Sequence, residues 1–210
     1  MFKKLFKKKQ APRDLTSPRD LRVGDILEFK PRSILPSDLH GVSLTVKKVQ
    51  AYQYSDGFYP EFVLESANGS IVTMMCSPEE EEDSLQISKK LNKAEIDGLF
   101  NSAEIEQLWE EGAATVHVNK ENALELNAWL ADKYHQDITS ATAYFFNKDV
   151  RGKESDLDES NSESLQYHEC SSAQDIHCLT VEIWEDGSTD FYVQINLPFS
   201  VVAEMWPNAS

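Results

Sequence analysis

VQAYQYSDGFYPEFVLE, Val49 to Glu65, reads as two strands around a tight turn. Aromatic and β-branched side chains fill both arms, a composition that suits a pleated, half-buried surface. Ser55-Asp56-Gly57 supplies residues that tolerate positive φ, the mark of a short hairpin loop. Pro60 cannot donate to a ladder, which places the second arm on an edge or beside a bulge. Upstream, LRVGDILEF (residues 21–29) sets Val23, Leu27 and Phe29 against Gly24 and Glu28, and SLTVKKVQAYQY is one long strand. Downstream, Ala67-Asn68-Gly69 is a second turn before the strand SIVTMMC. Four strands with tight turns predict a small β-barrel or meander over residues 21–92.

The order strand, aromatic, Asp-Gly, strand recurs in LTVEIWEDGSTDFYVQI, residues 179–195. Asp-Gly hairpins of this composition resemble one another without duplication, and that is the simpler reading. Between the two hairpins the period changes. Ile96, Leu99 and Phe100 are spaced i, i+3, i+4, which predicts a helix from about Lys93. Asn101-Ser102 caps a second helix, with Ile105, Leu108 and Trp109 inward and Gly112 as its stop. Asn119 caps a third, running to about Tyr134 with Ala123, Leu126, Leu130 and Tyr134 on its buried stripe. Pro198 opens a short terminal helix carrying Val201, Val202, Met205 and Trp206. Residues 149–164, acidic and Ser-rich, read as a flexible loop. The fold class expected is therefore α+β: a small β-barrel or meander region at 21–92, then an α+β region at 93–210 with antiparallel hairpins and three short helices. Residues 1–20 read as a tail and linker.

Charge is distributed unevenly. The chain has 210 residues and a formal net charge of −16. Its first ten residues, MFKKLFKKKQ, hold five Lys and no acid, leaving 15 basic against 36 acidic side chains elsewhere, a net of −21. A surface so acidic repels phosphate, so nucleic acid is not an expected partner. Glu79 to Asp83 and residues 149–164 concentrate some of the acid, but most is spread over the chain. Placed on a helix, Met1, Phe2, Leu5 and Phe6 fill one arc and Lys3, Lys4, Lys7 and Lys8 the other, with Lys9 following. Such a segment can lie in an anionic membrane interface, each Lys contributing about 1 kcal/mol near the surface. Phe2, Lys3, Lys4, Leu5, Phe6, Lys7, Lys8 and Lys9 are the expected membrane-docking residues. No apolar run of signal-peptide length follows them. Three cysteines at irregular spacing suit reduced thiols. The expected location is cytoplasmic, peripheral at the inner membrane.

The search for chemistry is mostly negative. GxGxxG, GxxxxGK, GxSxG and HExxH are all absent. His168, Cys170 and Cys178, with His177, are the best metal candidates. His168 and Cys170 share a strand face, but at most three ligands converge, short of a closed tetrahedral site. Asp156, Asp158 and Ser160 imitate the start of a calcium loop. Asn161 then stands where Gly is needed, and Tyr167 where a bidentate Glu is needed. No catalytic residue, metal or cofactor is expected. Tyr52, Tyr54, Phe58, Tyr59 and Phe62 crowd the first Asp-Gly turn. They are the candidate lining of a peptide groove, against the plainer reading that they stabilise a strand pair.

LRVGDILEF, LTVKKVQAYQYSDGFYPEFVLESANGSIV and EIWEDGSTDFYVQI together resemble a small-β-domain family of uncharacterised bacterial proteins. Its members tend to be encoded near membrane-stress proteins of the phage-shock type. The resemblance implies a non-enzymatic accessory role at the membrane. The chain departs from that pattern at Thr73-Met74-Met75, where the family has a tryptophan, and no site residue carries over. The function expected is a non-enzymatic interaction protein, docking at the inner membrane surface through residues 1–10. The alternatives are an acidic protein-binding module using residues 79–83 and 149–163 to hold a basic partner, or an enzyme of unrecognised type. Partners are then an anionic membrane surface or another protein.

Overall fold

A computed structural model of the chain describes residues 13–78, 82–110, 112–154, 157 and 161–208. Among the described residues, eleven strands form one antiparallel sheet. They are β1 (Ile26–Phe29), β2 (Leu44–Tyr54), β3 (Gly57–Ser66), β4 (Ile71–Cys76), β5 (Ser84–Lys90), β6 (Thr115–His117), β7 (Lys133–Phe146), β8 (Glu163–Ser171), β9 (His177–Trp184), β10 (Thr189–Pro198) and β11 (Val202–Trp206). Among the described residues two α-helices interrupt them, α1 (Lys93–Leu99) and α2 (Ser102–Glu106).

Two meanders, β2-β3-β4-β5 and β10-β9-β8-β7, meet along β5–β10. A second seam pairs Ala51, Tyr52 and Gln53 of β2 with Phe146, Phe145 and Tyr144 of β7. That seam closes eight strands into a barrel. β7 can serve two neighbours because it bends. Its pairing with β8 shifts register between Gln136 and Ile138 and again between Ile138 and Ala141, and Ser140 sits at φ +50°. Such irregularities increase local twist and re-aim a strand. The first half of β7 carries β6, while the first half of β2 carries β1 and, beyond it, β11.

Alternation decides what faces inward. The Tyr52 hydroxyl on β2 donates to Glu182 on β9 at 3.4 Å, although β7 and β8 lie between. Tyr54 meets Tyr167 of β8 at 5.2 Å between ring centroids, and Phe145 of β7 meets Trp184 of β9 at 5.4 Å. Only a concave face brings residues of non-adjacent strands so close. The interior is thus lined by Tyr, Glu, Gln and Thr as well as apolar groups. The opposite face carries Phe62, Leu64, Met74, Ile87, Val181, Val193 and Ile195, all fully buried. These join Leu27, Phe29, Leu99, Leu108 and Trp129 in the main apolar cluster. The larger hydrophobic core therefore lies outside the barrel, beneath the segments that wrap it.

This architecture corrects the α+β expectation with its three helices. The first two helices exist, capped by the Asn92 and Asn101 side chains. The third does not. Asn119 caps a 3-10 turn, Leu124 adopts φ +41°, and β7 begins at Lys133. A left-handed residue cannot continue an α-helix. Ala123, Leu126, Leu130 and Tyr134 are nonetheless all buried, so the apolar spacing located the contact face and misread the backbone. The expected terminal helix is instead β11, paired with β1. The small barrel expected at 21–92 is half of a larger one, completed by strands from 133–198.

Segments read as loose are partly tied down. Ser17 caps the 3-10 turn Pro18–Asp20 in a reciprocal capping box, and Pro18 is buried. Arg19 donates to the carbonyls of Ser77 and Pro78 and pairs with Asp83 at 2.7 Å. At the start of the acidic segment, Val150 is buried against Ala51 and Phe146. Arg151 lies 5.2 Å over the Phe62 ring and donates to the Arg19 carbonyl.

Candidate functional site

The two short helices leave a groove between them. Its floor is Ile96, Phe100, Ile105 and Trp109, and its rim holds Asp97, Glu106 and Glu110 around a cavity of about 840 Å³. The sequence builds it directly. Asn92 and Glu95 form a capping box that starts α1, and Phe100 ends it in extended backbone. Asn101 restarts the chain as α2, which lasts only five residues before tightening into a 3-10 turn at Gln107–Trp109. Three residues per turn changes the facing of the last side chains. Leu108 turns fully inward, while Trp109, expected to be buried, is 44% exposed.

Several contacts hold the groove in place. Glu104 accepts from the His117 backbone N–H at 2.7 Å and meets its Nδ1 at 3.0 Å, fastening α2 to β6. The His117 backbone bond, helped by the imidazole, holds the Glu104 carboxyl below its usual range. Below Trp109 lies His168, fully enclosed, with ring centroids 5.4 Å apart. Gln136 Nε2 lies 3.2 Å from His168 Nδ1 and donates to the Leu108 carbonyl at 2.9 Å. Ser140 N–H also points at Nδ1. Both neighbours are donors, so Nδ1 accepts and Nε2 carries the proton. Burial pushes this imidazole toward the neutral form. The groove thus rests on a buried imidazole whose surroundings favour its neutral form. On its rim, Lys93 pairs with Asp97 at 3.2 Å, while Glu106 and Glu110 have no ion-pair partner among the described residues.

A second polar feature lies inside the barrel. Glu61 accepts from Gln50 Nε2, and Glu182 accepts from Tyr52. Both carboxyls are buried. Desolvation, with Glu61 as a like-charged neighbour, lifts Glu182 to about 8, and desolvation raises Glu61 as well. Two buried carboxylates that act on each other as like charges cannot both ionise cheaply. The two hairpins that look alike in sequence frame this space. Tyr52 and Tyr54 point inward before the first Asp-Gly, and Glu182 and Trp184 before the second.

The residues singled out from sequence fall in different places. Tyr52, Tyr54 and Tyr59 lie on the barrel's inner face, Phe58 packs outside against Phe146, and Phe62 is fully buried on the outer face. The five do not line one groove, because adjacent strand residues point to opposite faces. His168 and Cys170 share the outer face, whereas Cys178 points inward beside Asn196. Among the described residues, no three His, Cys, Asp or Glu side chains are grouped to hold a metal ion. The docking residues Phe2 to Lys9 lie outside the described residues, as do 79–81 and most of 155–160. Sequence reading missed the groove because it sent Trp109 inward. It missed the interior pair because nothing local relates Glu61 to Glu182. No family model, curated protein or solved structure matches this chain.

Proposed function

We propose that this chain is a non-enzymatic binding module whose α1–α2 groove takes a basic protein segment with one apolar face. One observation carries the reading: an open apolar floor, with Trp109 exposed, rimmed by Asp97, Glu106 and Glu110. A helix in a groove uses anchors at i, i+3 and i+4, and flanking Lys or Arg would meet the rim carboxylates. Trp is enriched among residues whose truncation costs an interface 2 kcal/mol or more, roughly thirtyfold in affinity. The test is fluorescence anisotropy with a labelled Leu/Lys amphipathic helix. The Trp109→Ala and Ile105→Asp variants are expected to bind at least tenfold more weakly than the parent. Equal affinity across the three proteins refutes the groove.

A second reading, docking of residues 1–10 at an anionic membrane, rests on their five Lys and three large apolar side chains. Among the described residues, no helix is long and apolar enough to cross a membrane. Co-sedimentation with anionic vesicles, comparing the full chain with a 1–10 deletion, tests it. Equal sedimentation removes the reading.

A further inference from the structure

We infer that the solvent face of β11 and β1, around Trp206, docks an arginine-bearing apolar segment of another protein. This surface shares no residue with the α1–α2 groove.

Strand register builds it. Trp206 lies directly opposite Ile26, and Ile26 opposite Thr45. Thr45 is opposite Glu65, and Glu65 opposite Ile71. Leu27, Leu44, Leu64 and Val72, each one position along its strand, are buried, so alternation sends this row to the other side of the sheet. There the row meets solvent: Trp206 is 39% exposed and Ile71 56%. The support beneath is fixed. Val202 and Met205 pack on the main core, and the Asn208 N–H donates to buried Asp25 at 2.8 Å.

Charge selects the occupant. Two positions along from Ile26 and Trp206, about 7 Å away, Glu28 and Glu204 stand directly opposite one another on the same side. Neither has an ion-pair partner among the described residues. Like charges directly opposite destabilise a strand pair, and Cβ atoms so placed are roughly 5 Å apart. One guanidinium can therefore fork between the two carboxylates. An Arg stem that crosses Trp206 delivers it there, and the indole adds a cation–π contact. A lysine ammonium has neither the planar fork nor the stacking face. A second copy would set these carboxylates against a chain of net charge −16, and anionic lipid would repel them too. Strand addition is also disfavoured. Ala203 forms a bulge between Val202 and Glu204, and Pro207 follows, both of which blunt an edge. Side chains, not a backbone ladder, make the contact.

The experiment uses the full-length chain. Its four tryptophans give four indole N–H signals by NMR, and Trp206→Phe assigns one of them. The probe is a hexapeptide of alternating Leu and Arg, with affinities read from the Trp206 signal. The peptide is expected to move that signal and to bind at least fivefold more tightly than its Leu/Lys counterpart. Glu28→Gln/Glu204→Gln removes the charge without cutting the strand pair, and should weaken binding at least fivefold. Trp109→Ala should leave the titration unchanged. No shift at Trp206, equal affinity for the two peptides, or unchanged affinity in the double Gln variant overturns the inference. So does a dimer in sedimentation velocity that Trp206→Ala dissolves, because a second copy then fills the surface.

Discussion

Glu182→Gln should remove most of the pH dependence of stability between pH 6.5 and 8. The folded carboxyl keeps its proton up to about 8, against an ordinary value of 4.5 in the unfolded chain. Over that window the folded state therefore binds more protons than the unfolded one, and stability falls as pH rises. The contribution is fully present below pH 4.5 and gone above about 8. Each pH unit within the window is worth about 1.4 kcal/mol. From pH 6.5 to 8 the wild type should lose roughly 2 kcal/mol, or roughly 4–8 °C in melting temperature for a chain of this length. His168 and His177, both held neutral by burial, act in the opposite sense, but below their ordinary value of 6.5. The window above 6.5 therefore excludes the histidines, while Glu61 and Glu169, also raised by burial, act in the same sense as Glu182. Urea midpoints at pH 6.5, 7.25 and 8 for both proteins measure the effect. The variant's midpoint should fall less steeply with pH and stand higher than the wild type's at pH 8. Parallel slopes in the two proteins would falsify the buried-acid account.

Other outcomes follow from single contacts. Phe62→Ala empties a fully buried site beneath Arg151 and should cost about 3–5 kcal/mol by denaturant titration. A loss under 1 kcal/mol would mean that the outer face is not the principal core. Tyr134→Phe leaves the Ala131 N–H without its acceptor and should cost about 1 kcal/mol in the same assay. Cys76, Cys170 and Cys178 are buried, with thiols pushed up to about 12. In native protein at pH 8 they should react with an aromatic disulfide reagent no faster than the chain unfolds. Fast labelling of any one of them would contradict its burial.

Local features were legible in sequence, and closure was not. The Asp56-Gly57 and Asp186-Gly187 turns announce their hairpins because positive φ favours those residues. Asn92, Asn101 and Asn119 announce caps because their side chains accept from nearby backbone N–H groups. The spacing of Ala123, Leu126, Leu130 and Tyr134 marked a buried face, yet two successive 3-10 turns bury the same residues. Period alone cannot separate those solutions. What no window contains is the pairing of Ala51–Gln53 with residues some ninety positions later. That pairing turns a meander into half a barrel and brings Glu61 into range of Glu182. The groove was partly legible. Its apolar residues were named, but the helix was taken to run one turn longer, which rotated Trp109 to the wrong side.

The barrel's two meanders are joined unequally. Seven residue pairs bind β5 to β10, whereas three bind β2 to β7. β5–β10 is the hinge side of a clamshell, and the short join is its mouth. Parting it would admit water to the buried acids while the outer apolar layer stays intact. A proton bound to Glu182 would then exchange with solvent far faster than the chain unfolds, and amides bonded across β2–β7 should exchange faster than those bonded across β5–β10.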